Sequence, residues 1–403
     1  MKMCLYFQVH QPFRVRKYPV FDIGHKTDYF DDAKNKEIVD KVARKCYIPT
    51  NKLLLDLIKQ HKGKFKVAFS ITGTVLEQLE KHQPEVIELF KELSATGQVE
   101  FLSETYYHSL SYLYSKEEFK EQVNMHQQKI KSLFNQEPRV FRNTELIFNN
   151  ELANFVEQMG YEGIIAEGAD HILGWKSPNY IYTPKTTNNM KLILKNYKLS
   201  DDIAFRFSQQ SWNDHPLTVE KFAHWVDMNP GETINLFMDY ETFGEHQWEE
   251  TGIFEFMKLL PGELINRGVE FVTPSQLLDL KPKAELDIHN FISWADVERD
   301  LSAWLGNKIQ NSSIEELYRM EDAVKKTADP ELIEKWRKLT TSDHFYYMCT
   351  KWFNDGDVHK YFNPYDSPYE AFISYMNILN DMVKRVEEQQ IFSPITETPS
   401  LKV

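Results

Sequence analysis

Positive charge is what this chain has least of relative to need: 47 Lys and Arg stand against 60 Asp and Glu, a formal net charge of -13. No basic stripe gathers anywhere, and phosphate binding needs clustered cations, so nucleic acid and anionic membrane are excluded as partners. Cysteine is also scarce. Cys4, Cys46 and Cys349 form no C-x-x-C pair, which argues against a disulfide framework and for a reducing compartment, with a cytoplasmic location as the expectation. No run approaches the ~20 apolar residues that span a bilayer. The apolar part of the opening Met1-Lys-Met-Cys-Leu-Tyr-Phe-Gln-Val segment is too short for a signal peptide. Internal repeats and low-complexity tracts are missing. So are the phosphate loop G-x-x-x-x-G-K-[ST], the dinucleotide fingerprint G-x-G-x-x-G and the serine-hydrolase elbow G-x-S-x-G. Tight histidine pairs such as H-x-x-x-H are lacking near the candidate strand ends, so neither a metal nor another cofactor is expected.

What is present is a core-forming chain of 403 residues, 42% apolar and 14% aromatic. That length suits a barrel-sized unit with a smaller second one. Over the first 280 residues short apolar runs alternate with helical patterns, the rhythm of βα units and a parallel sheet. Strands are predicted at 4–9, 66–71, 99–102, 139–142, 163–166, 192–194, 234–238 and 269–272. Most are apolar on both alternating faces, as a sheet covered on both sides requires. Thr50 is placed to cap a helix over 51–59. Ser115-Lys-Glu-Glu118 reads as a capping box opening a helix towards Phe134. Pro84 starts another helix that Gly97 follows. The fold class is therefore α/β, a complete or incomplete barrel, with a doubly wound sheet as the alternative. After Pro282 strand-like runs vanish. Helices are predicted at 295–305, 313–326, 330–338, 342–353 and 368–388. The expected division is a barrel over 1–285, a helical unit over 286–390 and a loose tail over 391–403.

The candidate strand ends carry polar clusters: His10-Gln11-Pro12, Glu104-Thr-Tyr-Tyr107-His108, Arg142-Asn-Thr-Glu145 and Asp239-Tyr-Glu241-Thr-Phe243-Gly244. Open α/β sheets and barrels do chemistry at the C-terminal ends of their strands. One carboxylate there more often caps the helix that follows, and one histidine more often satisfies the core. Four clusters at one edge are harder to explain as packing, and two carboxylates with unlike neighbours suit glycoside hydrolysis. Glu145, beside Arg142 and Asn143, suits an ionised nucleophile. Asp239, with Glu241 two residues on and Tyr240 and Phe243 around it, suits a proton-holding acid/base.

Those same residues resemble the motifs of glycoside hydrolase family 57, and they occur in the family's order. His10-Gln11-Pro12 matches H-Q-P, Gly97–Glu100 through His108 resembles the second motif, Thr144-Glu145 matches the third and Asp239–Gly244 the fourth. Trp294-Ala-Asp296 through Asp300–Asn307 resembles the fifth. Arg142 departs from the pattern, since many members have tryptophan there. The version here is similar to the short α-amylase branch. The resemblance implies a (β/α)7 barrel closed by a helical bundle, and retention at α-1,4-glucosidic bonds without an obligatory metal. It implies Glu145 as nucleophile and Asp239 as acid/base, acting on an α-glucan partner. His10, Gln11, Glu104, His108, Arg142, Glu241, Phe243, Trp294, Asp300 and Trp304 are the expected substrate-binding set, although Leu301, Trp304 and Leu305 also share one packing face. The rival readings are a 4-α-glucanotransferase or branching enzyme, a silent glucan-binding protein and a metal-dependent carbohydrate deacetylase.

Overall fold

The computed structural model describes residues 1–351 and 363–392. The predicted runs become β1 (Lys2–Val9), β2 (Val67–Ile71), β3 (Val99–Phe101), β4 (Val140–Arg142) and β5 (Gly163–Glu167). A two-residue strand β6 (Thr183–Pro184) precedes β7 (Lys191–Lys195), β8 (Thr233–Asp239), β9 (Glu270–Phe271) and β10 (Glu285–Leu286). Every strand pairing is parallel, in the sheets β3-β2-β1-β8 and β4-β5-β7, with β9 on the first residues of β1 and β10 beside β6. The two main sheets meet twice. A parallel bridge joins Ser103 to Phe141, and the Asn196 amide donates to the Asn235 carbonyl at 2.9 Å.

Side-chain alternation explains how the strands share cores. On β1, Met3, Leu5, Phe7 and Val9 face the helices in one cluster. Cys4 and Tyr6 turn the other way and join Ala68, Val140, Ile165, Ile193 and Phe237 from β2, β4, β5, β7 and β8. Each large apolar side chain so buried contributes about 1.5–3 kcal/mol. Among the described residues beyond β10, helices follow at Ser302–Leu305, Lys308–Arg319, Glu321–Lys326, Pro330–Leu339, Ser342–Tyr346 and Pro368–Phe392. They enclose a separate core around Trp304, Trp336, Phe345 and Tyr375.

Three local expectations need correcting. Residues 295–301 form a loop instead of a helix, because Asp296 and Arg299 take left-handed φ values of 54° and 53°. Thr50 does not start a helix. It lies inside Ile48–Gln60, which continues from a π-turn over Ala43–Tyr47, and its hydroxyl donates back to the Cys46 carbonyl at 2.6 Å. Ser115 does cap the Lys116–Phe134 helix. Glu118, however, does not close the box: its carboxylate takes Arg337 at 2.8 Å and Lys325 at 2.7 Å. The helix expected at 342–353 ends at Tyr346, with 347–351 non-helical, and residues 352–353 and most of the expected tail lie outside the described residues.

Candidate active site

The register of β1 sets Gln8 level with Asp239 on β8 and Val9 level with Ile71 on β2. The strands therefore end at one height, and their following loops share one edge. Glu145 stands in a tight turn after β4, at φ 57°. His108, after β3, has φ 52°. Left-handed backbone at non-glycine residues costs energy and is kept where surrounding contacts over-determine it. After β8 the chain turns sharply at Gly244, φ +103°, where a Cβ would lie 2.0 Å from the Lys45 carbonyl. Only glycine fits that approach.

Glu145 is ringed by donors. His108 Nε2 donates to its Oε1 at 3.1 Å, Trp294 Nε1 to its Oε2 at 2.7 Å, and the Ser342 hydroxyl lies at 3.4 Å. Burial opposes its charge, but the His108 bond and charge, the Arg142 charge and the Trp294 bond prevail and hold its pKa at about 2. His108 also donates through Nδ1 to Glu104 Oε2 at 3.1 Å. Burial works against protonation of this ring, yet the bonds to Glu104 and Glu145 raise it to about 9. His108 is thus a cation between two carboxylates at neutral pH. Its Nδ1 proton is then committed to Glu104, so the 3.4 Å approach of Arg142 Nη1 is a contact of two cations and not a hydrogen bond. Arg142 is fully buried, 3.6 Å from Glu104, with its guanidinium 5.1 Å from the Trp294 ring centre.

Asp239 has the opposite setting. Among the described residues its carboxyl makes no side-chain hydrogen bond. Burial and the charge of Glu145 raise its pKa to about 6, against the smaller lowering by Arg142, Lys195 and His108. Glu241, deeper, accepts from the Tyr47 hydroxyl and from Gln11 at 3.3 Å. Burial and the charge of Asp239 push it to about 8. His10 stacks on His108 with ring centres 4.0 Å apart. Its Nδ1 accepts from the Thr72 hydroxyl at 2.9 Å and its Nε2 donates to Asp343 at 2.9 Å. Burial and the neighbouring His108 charge lower its pKa, so it stays neutral.

The structure thus gathers His10, Gln11, Glu104, His108, Arg142, Glu145, Asp239, Glu241 and Trp294. Three expected residues stand apart. Phe243 is 2% exposed and packs edge-on against Phe7 at 5.6 Å, in the core beneath the edge. Trp304 is 1% exposed and packs against Tyr346, so its packing role prevails. Asp300 is exposed and accepts from the Ser302 amide at 2.8 Å, a local bond just ahead of the Ser302–Leu305 helix. Unanticipated members are Asp343 and Ser342 from a late helix, Tyr47 from the π-turn, and Lys195 at the end of β7. Only Lys195 carried a signal, a charge closing an apolar strand. Among the described residues no three His, Cys, Asp or Glu side chains are grouped to hold a metal ion.

The Glycosyl hydrolase family 57 profile matches residues 4–289. A Methanocaldococcus jannaschii protein named "Putative alpha-amylase" is 46% identical over 397 residues, covering 95% of this chain and 84% of that one. A Pyrococcus horikoshii protein named alpha-amylase is 23% identical over 51% of this chain and 31% of its own length. Among solved structures, the Thermococcus litoralis 4-alpha-glucanotransferase aligns with TM-score 0.68 at 15% identity, over 94% of this chain and 59% of that one. A Pyrococcus horikoshii branching enzyme aligns with TM-score 0.66 at 16% identity, over 98% and 95%. With the profile covering more than two thirds of its length and a relative of such identity along nearly all of it, this chain belongs to glycosyl hydrolase family 57.

Proposed function

We propose that this protein is a retaining α-glucan hydrolase of the α-amylase type, cutting α-1,4-glucosidic bonds within starch, glycogen or maltodextrin chains in the cytoplasm. Its parallel strands are read as a (β/α)7 barrel, with residues 286–390 as a helical unit over the groove. The carrying observation is the opposite proton setting of two neighbouring carboxylates: Glu145 stays ionised, and Asp239 holds its proton up to about pH 6. Double displacement needs one of each, about 5–5.5 Å apart.

Glu145 attacks the anomeric carbon as the glycosidic C–O bond breaks, and Asp239 passes its proton to the leaving oxygen. Asp239, now a carboxylate, takes a proton from water, whose oxygen attacks the same carbon and releases Glu145. The configuration is retained through two inversions. His108 and Trp294 donate to Glu145 and aim it. Glu104 and Arg142, both fully buried, act on the catalytic charges, and His10, Gln11 and Glu241 shape the sugar pocket beside them.

Reducing-sugar release from soluble starch in EDTA, by wild type, Glu145→Gln and Asp239→Asn, tests this reading. Strong wild-type release lost in both variants is expected. Undiminished release by either variant removes that residue from its role. Fold relatives named as a glucanotransferase and a branching enzyme favour one second reading, glucan transfer with the same two carboxylates. Products longer than maltoheptaose, made from maltoheptaose, would decide for it.

A further inference from the structure

Trp294 reaches Glu145 from a stretch with no helix or strand of its own, residues 293–300. Two of those residues, Asp296 and Arg299, hold left-handed backbone, a conformation kept only where neighbouring contacts enforce it. Arg299 makes most of those contacts. Its Nη1 donates to the Trp294 carbonyl and lies 3.4 Å from Glu167 Oε2, while Nη2 lies 3.6 Å from Asp201 Oδ2. Its Cζ is 4.8 Å from the Tyr197 ring centre, and its own carbonyl accepts from the Ser293 amide at 3.0 Å. Glu167 is fixed at the end of β5, where Oε1 accepts from the Gly168 amide at 2.8 Å.

Lys195 completes the set. Its ammonium is 3.2 Å from Asp201 and 3.7 Å from Glu167, and 5.3 Å from the Trp294 ring centre. Two cations thus balance two acids, and both Lys195 and Arg142 stand within cation–π range of the indole. The indole N–H and the Trp294 amide both donate to Glu145, to the carboxylate at 2.7 Å and to the carbonyl at 3.2 Å.

We propose that Arg299 is a positioning residue: it ties the Trp294 backbone to Glu167 and Asp201 and so locks the indole N–H onto the carboxylate of Glu145. The planar guanidinium reaches two acids and a carbonyl at once, which an ammonium on one stem does not. The inference rests on the reading of Glu145 as the nucleophile. An error of about 1 Å in such a contact costs on the order of 100-fold in rate.

The test compares Arg299→Met, Arg299→Lys, Trp294→Phe and the Arg299→Met/Trp294→Phe double variant on maltoheptaose, together with hydrogen–deuterium exchange of the full chain. Arg299→Met is expected to lower kcat by roughly 10- to 100-fold with KM within about threefold, and Arg299→Lys to recover part of it. The double variant should be no slower than Trp294→Phe alone, since both act through one contact. Amides of Ser293 and Trp294 should exchange faster in Arg299→Met while the strands keep wild-type rates. Multiplying losses in the double variant, or unchanged exchange at these two amides, would overturn the latch. If wild type shows neither hydrolysis nor transfer, the glycosidase reading fails by itself, and the exchange result decides the latch. Should Arg299→Met not fold, Glu167→Gln goes through the same measurements with the same two outcomes.

Discussion

The loops after β4 and β8 deliver carboxylates to one edge and treat them in opposite ways. After β4, Glu145 meets a protonated histidine, an indole N–H and a buried arginine charge. After β8, the charge of Glu145 raises Asp239 and the charge of Asp239 raises Glu241, while a phenol and an amide bond to Glu241. Both loops are largely buried, so desolvation alone would push every carboxylate upward. The difference between them is what donors and charges each loop admits. A site with a separated acid and base is thus made by distributing cations unevenly around similar groups.

Removing either pole should break the contrast most visibly. Glu145→Gln is expected to lower starch hydrolysis by about 10,000-fold or more, and a loss below about tenfold would deny it the attacking role. Asp239→Asn should cost about 100- to 10,000-fold. The loss should be smaller on an aryl maltoside, whose leaving group needs no proton; equal losses on both substrates would count against Asp239 as the acid.

Shifting the balance should sharpen it. The proposed mechanism needs Glu145 ionised and Asp239 protonated, so the pH profile should fall below about 2 and above about 6. The charge of Arg142 lowers both groups, so Arg142→Met should move both limbs upward. Of these two carboxylates, Lys195 is among the leading influences on Asp239 and not on Glu145, so Lys195→Met should move the upper limb alone. An upper limb that stays put in both variants would show that another group sets it.

Residues outside the two loops serve as references. Trp304→Ala should cost about 3–5 kcal/mol in urea unfolding, the range for an emptied aromatic site in a core, with KM little changed in what remains folded. A large KM effect at full stability would return Trp304 to the groove. The smallest effect is expected from Asp300→Ala, about 1 kcal/mol for the lost hydrogen bond from the Ser302 amide, with unchanged turnover.

Sequence pattern located the seven longer strands and the polar clusters at their ends, but it ended the strands at Pro282, and the two-residue β10 at Glu285–Leu286 lies beyond that point. Those features are local: an apolar run, a period of two, a charge at its close. Phe243 and Trp304 were misplaced because an aromatic beside acidic residues looks the same whether its ring faces a groove or a core. Asp343 and Tyr47 were invisible for a different reason. Asp343 has the place of an ordinary first-turn acid on a short helix, and Tyr47 reaches Glu241 only because a π-turn adds a residue to the helical winding there. Arg299 is legible only after its left-handed backbone is known.

The late origin of Trp294, Ser342 and Asp343 has a consequence during synthesis. When β1 through β10 have left the ribosome, both carboxylates already exist on the chain. Glu145 still lacks its indole donor and His10 its acidic partner, and the second core has yet to form. The full set of contacts around the two carboxylates is therefore in place only after about the 343rd residue has emerged and docked.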